Sequence, residues 1–336
     1  MSGLPRVLLL HTGGTLGMVG RPGPLRPADF VERLRERVPD LWRIAELDLE
    51  IFSNVDSSDM DPAMWQGLAR RIHERLPAYE GIVVTHGTDT LAWTASALSL
   101  MLRNLDRPVV LTGSQRPLGE IRTDARLNLI DAVTAAASGP ALAEVAICFD
   151  SKIFRGNRAR KTKIAEYDAF ESPNLPPLGG LGVDVTIAPQ RRRRGRVELL
   201  DALETRVHTI FVFPGMDPAP HLAWIESGQV KGLVVFAYGA GNFPLAGERS
   251  LLPIFERAEA LRIPVLVGSQ ATRNAVALSL YESGAAALAR GAIGAGDMTP
   301  ETSVVKMMHA LAYGRTPAGV RRILEANLAG ERTPGT

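Results

Sequence analysis

The sequence predicts an α/β protein of two domains, each built on a parallel sheet, with the larger domain at the amino terminus. Three observations carry that prediction. Apolar runs alternate with amphipathic segments along both halves of the chain, as parallel strands joined by helical crossovers require. The runs are nearly continuous rather than alternating, which is the pattern of strands buried on both faces. Successive runs also end in glycine and small polar residues, at the sheet edge where open α/β sheets bind ligands. At 336 residues the chain is long enough for two cores. The alternation pauses once, so the expected domains are residues 1–187 and 207–336, with a linker over 188–206.

The first strand covers 7–10 and ends in His11-Thr12-Gly13-Gly14-Thr15-Leu16-Gly17. Two adjacent glycines permit backbone conformations closed to other residues and let another group approach closely. G-G-x-x-G is neither the dinucleotide fingerprint nor a phosphate loop, because the G-x-G-x-x-G spacing and the Gly-Lys-Ser/Thr are both missing. Residues 18–27, rich in Gly and Pro, form a loop placed to close over a ligand. A helix follows from about residue 28, with Phe30, Val31, Leu34 and Val38 on one face. Residues 47–52 alternate like an edge strand and run into the polar loop 53–59. Asp61-Pro62 then opens a helix, Asp as N-cap and Pro at the first position.

The strand at 81–85 ends in His86-Gly87-Thr88-Asp89-Thr90, before a helix over 91–102. The strand at 108–112 ends in Gly113-Ser114-Gln115, before a helix over about 126–137. A strand at 145–149 precedes Arg155-Gly156-Asn157-Arg158-Ala159-Arg160-Lys161. Beyond a short strand, the basic run 190–196 lies between the domains without interleaved aromatics, so it reads as a solvated linker rather than a nucleic-acid surface. The second series has strands at 209–213, 232–237 and 264–267, each followed by a helical segment.

Composition narrows the function. Hydrophobic residues make up 46% and charged residues 22%, ordinary for a globular protein. A net charge of +2 gives no reason to expect nucleic acid or an anionic membrane as partner. The single cysteine, Cys148, excludes an internal disulfide framework and fits a reducing compartment. It reads as a small buried strand residue. One Arg and only four consecutive large apolar residues before His11 make neither a signal peptide nor a membrane span, so the expected location is the cytoplasm.

A threonine hydroxyl becomes a nucleophile only when a nearby base takes or shares its proton. Thr88 and Asp89 follow one strand, and Lys161 lies on a loop after another. Together they offer the parts of a Ser-His-Asp arrangement: hydroxyl, base and orienting carboxylate. Backbone N–H groups at the glycine turns suit an oxyanion. The bland alternative is that Asp89 caps the following helix and Lys161 is a surface lysine.

The motifs Thr12-Gly13-Gly14-Thr15, Asp56-Ser57-Ser58-Asp59-Met60 and His86-Gly87-Thr88-Asp89-Thr90 resemble those of the bacterial L-asparaginase family, most closely its cytoplasmic type I branch. The resemblance continues through Thr112-Gly113-Ser114-Gln115, Arg155-Gly156-Asn157-Arg158, residues 168–178, Tyr238-Gly239-Ala240-Gly241-Asn242 and Gly296-Asp297-Met298-Thr299, and so covers nearly the whole chain. It implies a larger, flavodoxin-like amino-terminal domain and a smaller carboxyl-terminal one. It also implies hydrolysis of asparagine to aspartate and ammonia, without metal or organic cofactor. On the matching positions, Thr15 is the nucleophile that forms an acyl-enzyme, and Thr88 with Lys161 handles the proton. Asp89 binds the α-ammonium, and Ser57 with the adjoining Ser58 holds the α-carboxylate. Asn242 matches a residue reaching in from a neighbouring protomer, so a homodimer or homotetramer is expected.

The chain departs from the family at the mobile loop, where a tyrosine is usual and Leu25 occupies the slot. That departure keeps open a catalytically weak asparagine- or aspartate-binding sensor. An asparaginase-like component of an amidotransferase acting on misacylated transfer RNA is the other alternative.

Overall fold

A computed structural model describes residues 3–17, 27–189 and 195–336. The closing-loop segment with Leu25, and most of the basic run, lie outside the described residues. The chain forms two compact units, residues 1–201 and 202–336.

The first unit runs β1 (Arg6–Gly13), α1 (Pro27–Arg37), α2 (Leu41–Ile44), β2 (Glu46–Val55), α3 (Pro62–Arg75), β3 (Gly81–Thr85), α4 (Leu91–Met101), β4 (Leu102–Arg103), β5 (Val109–Thr112), α5 (Ala125–Ala136) and β6 (Val145–Phe149). After these come β7 (Lys152–Arg155), β8 (Arg160–Lys161), β9 (Phe170–Glu171), β10 (Gly179–Leu181), β11 (Val185–Ile187) and β12 (Glu198–Leu199). Eight of the strands form one sheet in the order β11-β10-β7-β6-β5-β3-β1-β2. The five from β6 to β2 are parallel, as expected, with β2 at the edge. Beyond β6 the sheet continues through β7, β10 and β11, which are antiparallel additions to the expected arrangement. Strands β4 and β12 pair as a separate ribbon, and so do β8 and β9.

Side chains alternate across the β1 strand. Val7 and Leu9 join Phe30 and Leu34 of α1, Val38 just after it, and Leu129, Ala132 and Val133 of α5 in one fully apolar cluster that also holds Cys148. Burial pushes the Cys148 thiol up, so it stays protonated and inert. Helix α4 is buried almost all round and packs on β5 and β6. Helix α3 begins as the sequence predicts: Asp61 accepts the Met64 N–H at 2.8 Å, and Pro62 takes the first position.

The second unit runs β13 (Val207–Phe211), α6 (Ala219–Glu226), β14 (Gly232–Ala237), α7 (Leu252–Ala260), β15 (Val265–Ser269), α8 (Glu282–Ala289), β16 (Ile293–Gly294), α9 (Pro300–Tyr313) and α10 (Pro317–Glu325). Its four strands are parallel in chain order. Leu233, Val235, Val265 and Val267 face Ile225, Ile254 and Phe255. The terminal segment is held by an ion pair at 2.7 Å between Lys306 and Glu331, both fully buried. Burial pushes the Glu331 carboxyl up, but Lys306 and the Leu328 and Ala329 amides outweigh it, and the group stays below the usual carboxylate range.

Candidate active site

The carboxyl ends of β1, β2 and β3 close on one another backbone to backbone. Strand β1 slips register against β2 between His11 and Gly13, and Gly13 and Gly14 adopt φ of +122° and +82°. A side chain disfavours that region, which explains the paired glycines. Space is as restrictive as the dihedral angles. A Cβ on Gly14 would lie 2.4 Å from Gly87 Cα, and one on Gly87 would lie 2.6 Å from Ser57 Oγ. The Gly14 N–H donates to the Val55 carbonyl at 3.1 Å, completing the contact with the end of β2.

This packing separates the two threonines of the first motif. Thr12 is buried, and its hydroxyl donates to the Thr85 carbonyl at 2.9 Å. Thr15 opens the short 3-10 turn Thr15–Gly17, is half-buried, and has no side-chain hydrogen bond among the described residues. Thr12 is therefore committed to the scaffold, and Thr15 keeps its hydroxyl for other partners.

Thr88, Asp89 and Lys161 meet. Lys161 Nζ donates to Thr88 Oγ1 at 2.9 Å and to Asp89 Oδ1 at 2.7 Å. The Lys161 side chain is 16% exposed, so it is not a surface lysine, whereas Asp89 is 69% exposed and open to a ligand. Asp89 is not the helix cap either. Thr90 holds the N-cap position of α4, and its hydroxyl donates to the Ser57 carbonyl at 2.6 Å instead. Ser57 is buried beside Gly87. Ser58 donates through both its N–H and its hydroxyl to Asp56 Oδ1, each at 2.8 Å, which closes the turn. Those two bonds hold the Asp56 carboxyl below its usual range.

Two features escape sequence reasoning. Gln115 accepts from the Thr88 hydroxyl at a long 3.3 Å, with its Nε2 fixed by the Ile164 and Glu166 carbonyls. Its sequence signal, a strand-end place in the motif Thr112-Gly113-Ser114-Gln115, does not announce this contact with Thr88. The other feature is a pair of buried histidines under the turns. His11 Nδ1 lies 2.8 Å from Thr85 Oγ1, and His86 Nδ1 lies 2.7 Å from the Gly87 carbonyl.

Burial lowers the pKa of each histidine to about 4, with the Asn54 side chain partly opposing the shift at His11 and the Gly87 carbonyl at His86. Both are therefore neutral at pH 7. A folded pKa below the unfolded value of about 6.5 means stability that is full above pH 6.5 and lost as pH falls towards 4. Each histidine is expected to withdraw about 3 kcal/mol over that window. Denaturant unfolding at pH 7, 5.5 and 4.5 measures this, and unchanged unfolding free energy across the series would contradict it.

In the second unit, Asn242 sits in a tight turn. It exchanges backbone hydrogen bonds with Tyr238, both at 2.8 Å, and its Oδ1 accepts from the Ser283 hydroxyl at 2.8 Å. Gly239 and Gly241 supply the positive φ angles of this turn.

Similarity to known proteins follows the same division. Residues 6–193 match the family model described as "Asparaginase, N-terminal", and residues 206–324 match the "Glutaminase/Asparaginase C-terminal domain". L-asparaginase 1 of Escherichia coli (strain K12) is 34% identical over 335 residues, covering 98% of each chain. The solved structure of the thermostable L-asparaginase from Thermococcus kodakarensis superposes with a TM-score of 0.89 at 35% identity, over 98% of this chain and 100% of that one. A glutamyl-tRNA(Gln) amidotransferase chain of Pyrococcus abyssi is 35% identical over 349 residues, covering 99% of this chain and 78% of that one.

Proposed function

The chain belongs to the asparaginase family, and from that premise we propose that it is an L-asparaginase, releasing ammonia from the side-chain amide of L-asparagine and leaving L-aspartate. The observation that carries this reading is Lys161, bonded at once to Thr88 and Asp89 on the turn whose backbone touches the Thr15 turn. Thr15 Oγ1 attacks the amide carbon. Its proton passes to Thr88 as Thr88 gives its own to Lys161, which acts as the base. Backbone N–H groups of the glycine turns stabilise the oxyanion. The proton then returns through the same pair to the departing nitrogen, which leaves as ammonia. Water repeats the sequence on the acyl-enzyme ester, freeing aspartate and restoring the Thr15 hydroxyl.

Asp89 holds the α-ammonium, and Ser57 with its loop holds the α-carboxylate. One anchor for each charge places the side-chain amide before the nucleophile. No step calls for a metal or organic cofactor. Incubation of the purified protein with asparagine, reading ammonia and aspartate together, tests the proposal. Binding without release of either product would support the sensor instead.

The likeness to the amidotransferase chain supports a second reading, in which the same chemistry supplies ammonia to a partner that modifies misacylated transfer RNA. Ammonia release by the isolated chain at a full rate, with no partner added, favours the asparaginase.

The active unit in this proposal is a cytoplasmic homodimer or homotetramer, in which Asn242 of one copy completes the site of another. Mixing Thr15→Ala protomers with Asn242→Ala protomers should restore activity above either parent, through hybrid sites carrying neither lesion. Full activity in a dilute monomer would contradict it.

A further inference from the structure

A directed chain of hydrogen bonds runs beneath the Thr88 turn, and its direction can be derived atom by atom. Trp65 of α3 is 5% exposed, and Thr94 of α4 and His86 are fully buried. The Trp65 indole Nε1 lies 3.0 Å from Thr94 Oγ1, Thr94 Oγ1 lies 2.9 Å from His86 Nε2, and His86 Nδ1 lies 2.7 Å from the Gly87 carbonyl oxygen. An indole N–H only donates and a carbonyl oxygen only accepts. His86 must therefore carry its proton on Nδ1, which leaves Nε2 as an acceptor. Thr94, already accepting from Trp65, then spends its single proton on His86. Every polar atom of the chain is satisfied in this one direction.

Thr94 also departs from its neighbours. The hydroxyls of Ser96 and Ser99 donate to the carbonyls four residues back, at 2.7 Å each. That is the default for a buried helical hydroxyl. Thr94 instead points out of α4 to the histidine. The far end of the chain is equally specific. The Gly87 carbonyl belongs to the peptide whose nitrogen is that of Thr88, and Gly87 Cα is the point against which Gly14, the residue before Thr15, closes.

We infer that Trp65 and Thr94 are positioning residues for the reaction: through the imidazole of His86 they clamp the Gly87–Thr88 peptide, the hinge on which the two threonine turns are spaced. The kinetic part rests on the asparaginase reading; the proton direction does not. Neither residue shares a hydrogen bond with Thr88, Asp89 or Lys161 among the described residues. Their effect is on where Thr88 stands relative to Thr15, so their removal slows the bond-making steps more than it weakens binding of the α-substituents, which Asp89 and Ser57 hold.

The first test uses the unmodified protein. Long-range proton–nitrogen NMR on histidine-labelled protein at pH 7 should show His86 as the neutral Nδ1–H tautomer, the less common form of a free imidazole. The Nε2–H form would overturn the inference. The second test is kinetic. Thr94→Val should lower kcat with asparagine by roughly tenfold or more with KM changed less than about threefold, and Thr94→Ser, which restores the donor, should recover most of the rate. Trp65→Phe, which keeps a smaller aromatic ring and removes the first donor, should act in the same direction with a smaller effect, and covers the case of a poorly folding valine variant. A folded Thr94→Val with wild-type kcat, or a loss confined to KM, would contradict the positioning role. If the unmodified protein releases no ammonia, the asparaginase reading fails while the tautomer result still decides the hydrogen-bond direction.

Discussion

Thr15→Ala is expected to lower turnover of asparagine by roughly 10⁴-fold while leaving aspartate binding measurable. The expectation follows from the division of labour at the end of β1. The Thr15 hydroxyl has no side-chain partner among the described residues, so removing it leaves the scaffold intact. Asp89 and Ser57, the proposed anchors of the α-substituents, are untouched. Thr15→Ser keeps a hydroxyl and should retain partial activity, because the lost methyl costs only some orientation. Thr12→Val is the matched control. Thr12 donates from a buried position to the Thr85 carbonyl, so its loss should appear as about 1–3 kcal/mol of stability, with far less effect on rate. Calorimetry and steady-state kinetics on the three variants separate the roles. A Thr12 variant that is dead and a Thr15 variant that is active would reverse the assignment.

Lys161→Met should be nearly as severe, lowering kcat by about 10³-fold. Methionine fills the same half-buried volume but removes the group bonded to both Thr88 and Asp89. Lys161→Arg distinguishes charge from proton transfer. A guanidinium can still pair with Asp89, yet it does not give up its proton in a protein. Binding should be restored without turnover. Thr88→Val should be comparably slow, and Thr88→Val/Lys161→Met little worse than either alone, because groups that act as one unit are non-additive. Rates that multiply across the double variant would show that the two act independently.

Much of this site was legible in the sequence because its parts sit at strand ends. Apolar runs with abrupt polar or glycine endings place Thr15, Thr88 and Gln115 on one edge of a parallel sheet from pattern alone. The Asp61-Pro62 cap and the edge position of β2 were equally readable. The antiparallel extension was not. Strand β6 turns into β7 through Asp150 and Ser151, with φ of +49° and +56°. A tight hairpin needs positive φ at both central residues, and glycine is the usual sign of one. Here two ordinary polar residues adopt it, so the segment reads as the start of a loop. The basic stretch around Lys161 misleads for a related reason. Its charges suggest solvent, yet Arg158 is only 2% exposed and Lys161 is turned in towards Thr88. The chain from Trp65 through Thr94 to His86 leaves no local signature at all. It joins residues from two helices and a strand end, and its meaning depends on which imidazole nitrogen bears the proton.

The central claim is that Thr15, rather than Thr88, carries the acyl group. Enzyme quenched during turnover of asparagine, or treated with a reactive asparagine analogue, can be digested and mapped by mass spectrometry. The account predicts a covalent adduct on the peptide containing Thr15 and none on the Thr88 peptide. An adduct on Thr88 with Thr15 unmodified would contradict it.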